Sequence, residues 1–240
     1  MTTRPAPAAR ELWEDLARVP VSFPPQGGVN VVVSAESGLC PPGWVGVVAL
    51  EGSAIATAPT ERVAERLRAA LADLPVEAVV DAASLHDALP VARVLGPASL
   101  SYVSPQGFRP VAAASDVAHL PGDHPAVRGL ERVAGHEDAV EAALDEITSP
   151  ACVVREHGEV VAAAGYRIWP RRTAHLSVLT APAARGRGLA RTVASAAVAH
   201  ALAAGLLPQW RARPRASRRV AATLGFEELG AQLSVELAQD

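Results

Sequence analysis

The segment that most restricts what this chain can become is a strand, a glycine-bearing turn and an alanine-rich helix in immediate succession. Residues 173–180 read as a strand, Arg185-Gly186-Arg187-Gly188-Leu189-Ala190 follows, and the helical pattern after it stops at Gly205. Glycine lets a backbone come close to a ligand. The first N–H groups of a helix lack intrahelical partners and lie at the positive end of its dipole. Such a turn suits a phosphate.

Charge points the same way. The net charge is only −3, yet the 49 residues from Arg171 to Arg219 hold ten of the 22 arginines and no Asp or Glu. The other 12 arginines are outweighed by 25 acidic residues. An asymmetry of this kind indicates an anionic ligand. Nucleic acid is not the expected one. The arginines fall inside apparent core elements, Trp210 is the sole interleaved aromatic, and the acidic remainder would repel a phosphate backbone.

Spacing separates the phosphate-binding turns. A P-loop requires a lysine, and the chain has none. A dinucleotide fingerprint requires a third glycine where Arg191 stands and an acidic residue about 20 positions later, where Leu, Pro, Gln and Trp occur. What remains is Gln or Arg, two residues, Gly, one residue, then Gly or Ala. Arg185, Gly188 and Ala190 meet it, with Pro182 ahead of them.

That pattern resembles the acetyl-coenzyme A motif of the GNAT N-acetyltransferase superfamily. A second segment supports the resemblance: Ser217 opens a short helix that ends in a Gly225-Phe226 turn. The order of elements from about residue 113 to 240 is similar too. The resemblance implies an α/β (α+β) GNAT fold, a mixed central sheet flanked by helices, preceded by a smaller α/β N-terminal domain. The expected domains are 1–112, of unassigned role, and 113–240.

The implied activity is transfer of an acetyl group from acetyl-CoA to a primary amine by direct attack, without a metal. The strand before the turn would splay from its neighbour and offer backbone groups of Val178 and Thr180 to the pantetheine arm. Amides of Arg185, Gly186, Arg187, Gly188, Leu189 and Ala190 would hold the pyrophosphate, with Ser217 nearby. Candidates for acid–base chemistry are His175, whose ordinary pKa suits proton removal near neutrality, Glu146 and Tyr166. Two positions depart from the family pattern. Pro214 replaces the usual Asn, and Ala221 replaces the usual general-acid tyrosine. An acyl-CoA-binding regulatory protein with little or no turnover is the alternative.

Elsewhere the pattern predicts strands at 29–34, 44–50, 77–80 and 100–103, and helices after Pro59 and over 84–95. Gly107 to Asp123 is expected to join the domains, with the boundary near 112. Helices at 125–133 and 137–147 precede a hairpin at 152–156 and 160–169. A strand at 207–212, a helix at 216–224 and a strand at 226–237 with a bulge at Gly230 complete the chain. His200 sits mid-helix without a partner at metal-ligand spacing. Cys40 and Cys152 are too few for a disulfide framework or a structural zinc site.

The longest apolar run, 193–207, is too short to span a bilayer. Residues 1–10 lack the apolar core of a secretory signal. The expectation is a cytoplasmic protein acting on a small-molecule or peptide amine, with a homodimer as its possible assembly.

Overall fold

The computed structural model describes residues 5–25, 27–111 and 117–238; the boundary expected near 112 falls outside them. In chain order the elements are α1 (Ala6–Leu16), β1 (Gly28–Val33), β2 (Val45–Leu50), β3 (Ser53–Ala58), α2 (Glu61–Leu71), α3 (Ala82–Ala88) and β4 (Val91–Tyr102). They continue with β5 (Ala118–Leu120), α4 (Pro125–Ala134), α5 (His136–Ala142), β6 (Ala151–Glu156), β7 (Glu159–Trp169) and β8 (Thr173–Thr180). The last are α6 (Leu189–Ala203), β9 (Leu207–Ala212), α7 (Arg215–Thr223) and β10 (Glu227–Leu237). Two compact units result: residues 102–227, and residues 4–101 joined by the closing strand from 228 onward.

In the unit built from the N-terminal residues the strand order is β1-β3-β2-β10-β4. β1 runs parallel to β3, while β2 is antiparallel to both β3 and β10. Every residue of β2 and β3 is buried, because both faces of these strands are covered. On one face Val45, Val47, Ala54 and Ala56 pack with Ala64, Leu67 and Leu71 of α2 and Leu85 of α3. Thr60 caps α2 by accepting from the Val63 amide.

Several local predictions are corrected. Residues 77–80 form a 3-10 turn over Ala78–Val80, closed by the Asp81 amide on the Ala78 carbonyl at 3.0 Å, in place of a strand. The helix expected over 84–95 is α3, which stops because Pro90 forces Leu89 into an extended conformation; the chain then enters β4. Helix α1 and strands β3 and β5 carry no expectation above. Gly230 makes no bulge. It stands in register opposite Leu50, and a Cβ there would lie 1.9 Å from the Ala49 carbonyl oxygen.

The C-terminal unit orders its strands β9-β8-β7-β6-β5. β5 to β8 are antiparallel neighbours, and β9 joins β8 in parallel. Helix α6 supplies Val193, Ala194, Ala197, Val198 and Ala201 to one core with Ala162, Ala164, Leu176, Trp210 and Phe226. Helix α4 supplies Val127 and Leu130 to another with Val153, Ala163 and Leu179. Alanine on both sides lets α6 lie close to the strands. The helix expected over 137–147 breaks at Ala143, whose φ of 47° and ψ of 46° are left-handed, and resumes as a 3-10 turn over Leu144–Glu146.

Candidate functional site

Strands β8 and β9 are matched only at Thr173 with Leu207, Ala174 with Pro208 and His175 with Gln209. Beyond that point they part. The opening is a cavity of about 470 Å3, lined by Leu176, Val178 and Thr180 of β8 and by Trp210 and Arg211 of β9. Its floor continues onto the turn and first residues of α6 and onto Ser217 and Val220 of α7. One wall is α5, through Asp138 and Glu141.

The turn is built for a group that accepts hydrogen bonds. Gly186 and Gly188 have φ of 77° and 81°, a region open to glycine at little cost, and a Cβ on either would meet nothing within 4 Å. No side chain caps α6. Its first internal backbone bond is from the Thr192 amide to the Gly188 carbonyl at 3.1 Å. The amides of Leu189, Ala190 and Arg191 therefore have no partner inside the helix. The Thr180 hydroxyl, buried at the edge of the cavity, also has no hydrogen-bond partner.

The residues expected to bind a cofactor converge here, with one exception. Val178, Thr180, Arg185, Gly186, Gly188, Leu189, Ala190 and Ser217 all line the cavity. Arg187 does not line it and pairs with Glu156 through two contacts of 2.5 and 2.9 Å, which hold the Glu156 carboxyl below its ordinary range. Ser217 accepts a hydrogen bond from the Trp210 indole at 2.9 Å, tying α7 to β9.

The three acid–base candidates lie outside the lining. His175 stacks on Trp169 with ring centroids 4.1 Å apart, and its Nδ1 is 2.7 Å from Gln209 Oε1. Gln209 Nε2 donates to the Tyr102 hydroxyl at 2.9 Å, so the proton between His175 and Gln209 sits on Nδ1. The residue as a whole is half-buried, and loss of solvation presses its pKa down to about 3; Arg211 and Arg167 push the same way and the Gln209 bond opposes them. Glu146 pairs with Arg167 at 2.7 Å. Tyr166 is 3% exposed, its hydroxyl 2.9 Å from His200 Nδ1, and burial raises its pKa.

Asp138, Glu141, Arg191, Trp210, Arg211, Pro214 and Val220 line the cavity without having been singled out as cofactor or catalytic residues. Asp138 and Glu141 share a face at i, i+3 spacing, the one local signal that could have paired them. Among the described residues no cluster of three or more His, Cys, Asp or Glu could hold a metal ion. No helix among them is long and apolar enough to cross a membrane.

Residues 150–231, which contain the parted strands and the turn, match the family model of GNAT acetyltransferases. The matched segment is a GNAT acetyltransferase segment. Among solved structures, the chain is similar to the GCN5-related N-acetyltransferase of Kribbella flavida, with 17% identity and a TM-score of 0.49 over 67% of this chain and 64% of that one. It is similar to a GNAT-family acetyltransferase of Colwellia psychrerythraea at 15% identity and a TM-score of 0.48, over 65% and 60% of the two chains. A GCN5-related N-acetyltransferase-like protein of Streptococcus suis matches at 17% identity and a TM-score of 0.47, over 81% and 84%. The chain spans less than two thirds of the Kribbella and Colwellia proteins. No curated protein matches it.

Proposed function

We propose that the GNAT unit binds acetyl-CoA in the opening between β8 and β9 and transfers its acetyl group to a primary amine. The observation that carries this reading is the end of the ladder at His175 and Gln209, past which the strands enclose a cavity that also takes in the first residues of α6, whose Leu189, Ala190 and Arg191 amides have no partner inside the helix. The residues fit the cofactor. Open space stands before Gly186 and Gly188, and the Thr180 hydroxyl is unpaired.

Amides from Gly186 to Ala190 would receive the pyrophosphate, with Arg185 and Arg191 as charged donors. Backbone groups of Val178 and Thr180, released from pairing with β9, would hold the pantetheine amides. The bound thioester supplies an activated acetyl group. The cavity walls then do the rest by placing the amine close to it and keeping water out. Glu141 is the carboxylate we assign to take the amine's proton, since it lines the cavity where His175, Glu146 and Tyr166 do not.

Calorimetry with acetyl-CoA tests the binding half; no heat and no thermal shift at millimolar ligand would remove the proposal. Release of free thiol across a panel of amines tests transfer. A second reading has one observation in its favour: Ala221, only 1% exposed, fills the place of the tyrosine that the family uses as general acid. A protein that binds acyl-CoA but turns over none of the amines would be a regulatory binder.

A further inference from the structure

Helix α5 is fastened across the cavity wall with little packing of its own. None of its residues is buried, and Val140 is 62% exposed. Buried anchors stand on either side, Ala134 before it and Leu144 after it. Between anchor and helix lie Gly135, at φ 93° and ψ 162°, and Ala143, left-handed at φ 47° and ψ 46°, so both junctions have positive φ. The helix is tied to the parted strands by two ion pairs. Asp138 meets Arg185, past the end of β8, at 2.5 Å, and Glu141 meets Arg213, just past the end of β9.

Arg185 is the residue at which these two features meet. Its Nε donates to the Thr180 carbonyl at 3.3 Å and its Nη2 to Asp138, while its own position opens the phosphate turn. An arriving phosphate and Asp138 therefore compete for one guanidinium. The Asp138 pair is about half exposed on both sides, a setting in which an ion pair holds weakly. A phosphate offers more charge and a two-point contact to the same group.

We propose that Asp138 latches α5 to the phosphate turn, and that a coenzyme phosphate takes Arg185 from Asp138 and so frees the first turn of α5 from the cavity wall. The inference rests on the coenzyme A reading of the site and adds a coupling between its phosphate end and the wall facing the acceptor. Glu141 keeps its tie to Arg213 when the phosphate binds, so the helix is released at one end only.

Amide hydrogen exchange on the full chain, with and without coenzyme A, tests the coupling. Protection at residues 186–191 reports phosphate binding; faster exchange at residues 136–140 reports the released latch. The wild type should show both on adding coenzyme A. Arg185→Ala and Asp138→Asn should show the fast exchange at 136–140 with no ligand present. Asp138→Asn should also bind coenzyme A about two- to fivefold more tightly, because a competitor worth one exposed ion pair is gone. Glu137→Gln, the same charge change on the same helix, should alter affinity less than twofold. Slower exchange at 136–140 on binding, unchanged exchange there in Arg185→Ala, or equal tightening in the Asp138 and Glu137 variants would each overturn the latch. If coenzyme A leaves 186–191 unprotected, the coenzyme reading fails and the phosphate trigger with it. The two ligand-free variants then judge the latch itself.

Discussion

His175 and Gln209 are the last residues matched across the parallel strands β8 and β9, and their side chains are bonded at 2.7 Å where the strands part. Tyr102 extends the bond through Gln209, and Trp169 stacks on the imidazole from the side. The apex of the cavity is thus braced by a neutral histidine.

This arrangement sets a pH dependence of stability. The folded His175 has its pKa pressed to about 3 against an ordinary 6.5, so above pH 6.5 both states are neutral and the contribution is complete. As pH falls from 6.5 toward 3 the unfolded chain takes up a proton that the folded site refuses, and the folded state loses stability. Thermal melts of the wild type should therefore decline more steeply across that interval than those of His175→Gln. Parallel curves would mean that the imidazole is solvated in the folded protein.

Gly188 separates folding from binding. A side chain there meets no neighbour, so Gly188→Glu should cost only the left-handed strain, about 1–2 kcal/mol, and leave a folded protein. Coenzyme A affinity should nevertheless fall by at least a hundredfold, because a carboxylate would occupy the space in front of the helix amides. Calorimetry beside a melting curve checks both, and a folded variant of unchanged affinity would place the phosphates elsewhere.

Much of the GNAT unit is legible in local pattern. The strand at 173–180, the strand at 207–212 and the stop of α6 before Gly205 are found where alternation and turn residues put them. The same reading misses β3 and turns residues 91–95 into helix, since apolar runs of five or six residues carry no period that separates buried strand from helix. From sequence alone the arginine cluster reads as one anion site. Three members are spent on acids distant in sequence: Arg185 on Asp138, Arg187 on Glu156 and Arg213 on Glu141. Only the three-dimensional pairing reveals which cations remain at the cavity, and the same is true of the carboxylates on α5.

Gly225 marks a close backbone approach that no larger residue can share. Its φ is 88°, and a Cβ would lie 2.0 Å from the Gly107 carbonyl oxygen, which neither segment can relieve by turning a side chain. Nearby, the Arg109 amide bonds the Leu224 carbonyl at 2.9 Å. Gly225→Ala should destabilise the unit by roughly 2 kcal/mol or more, through strain and overpacking together. Chemical denaturation gives the number, and a loss under 0.5 kcal/mol would mean the two segments do not touch in solution.

Glu141, proposed above as the base, and Tyr166 lie in different surroundings. Glu141 lines the cavity and pairs with Arg213, whereas Tyr166 is enclosed beside α6 with its hydroxyl on His200. Removing the carboxylate as Glu141→Gln keeps the side chain's size and its contact with the cavity. With an amine that the wild type accepts, kcat for thiol release should fall about a hundredfold, the scale of a lost general base, while coenzyme A binding changes little. Tyr166→Phe should cost about 1 kcal/mol of stability for one partly buried hydrogen bond and leave kcat as it was. The reverse pattern, with Tyr166→Phe slow and Glu141→Gln fast, would move the proton path from the α5 wall to the α6 face of the sheet. It would also require the cavity to open toward Tyr166 during turnover.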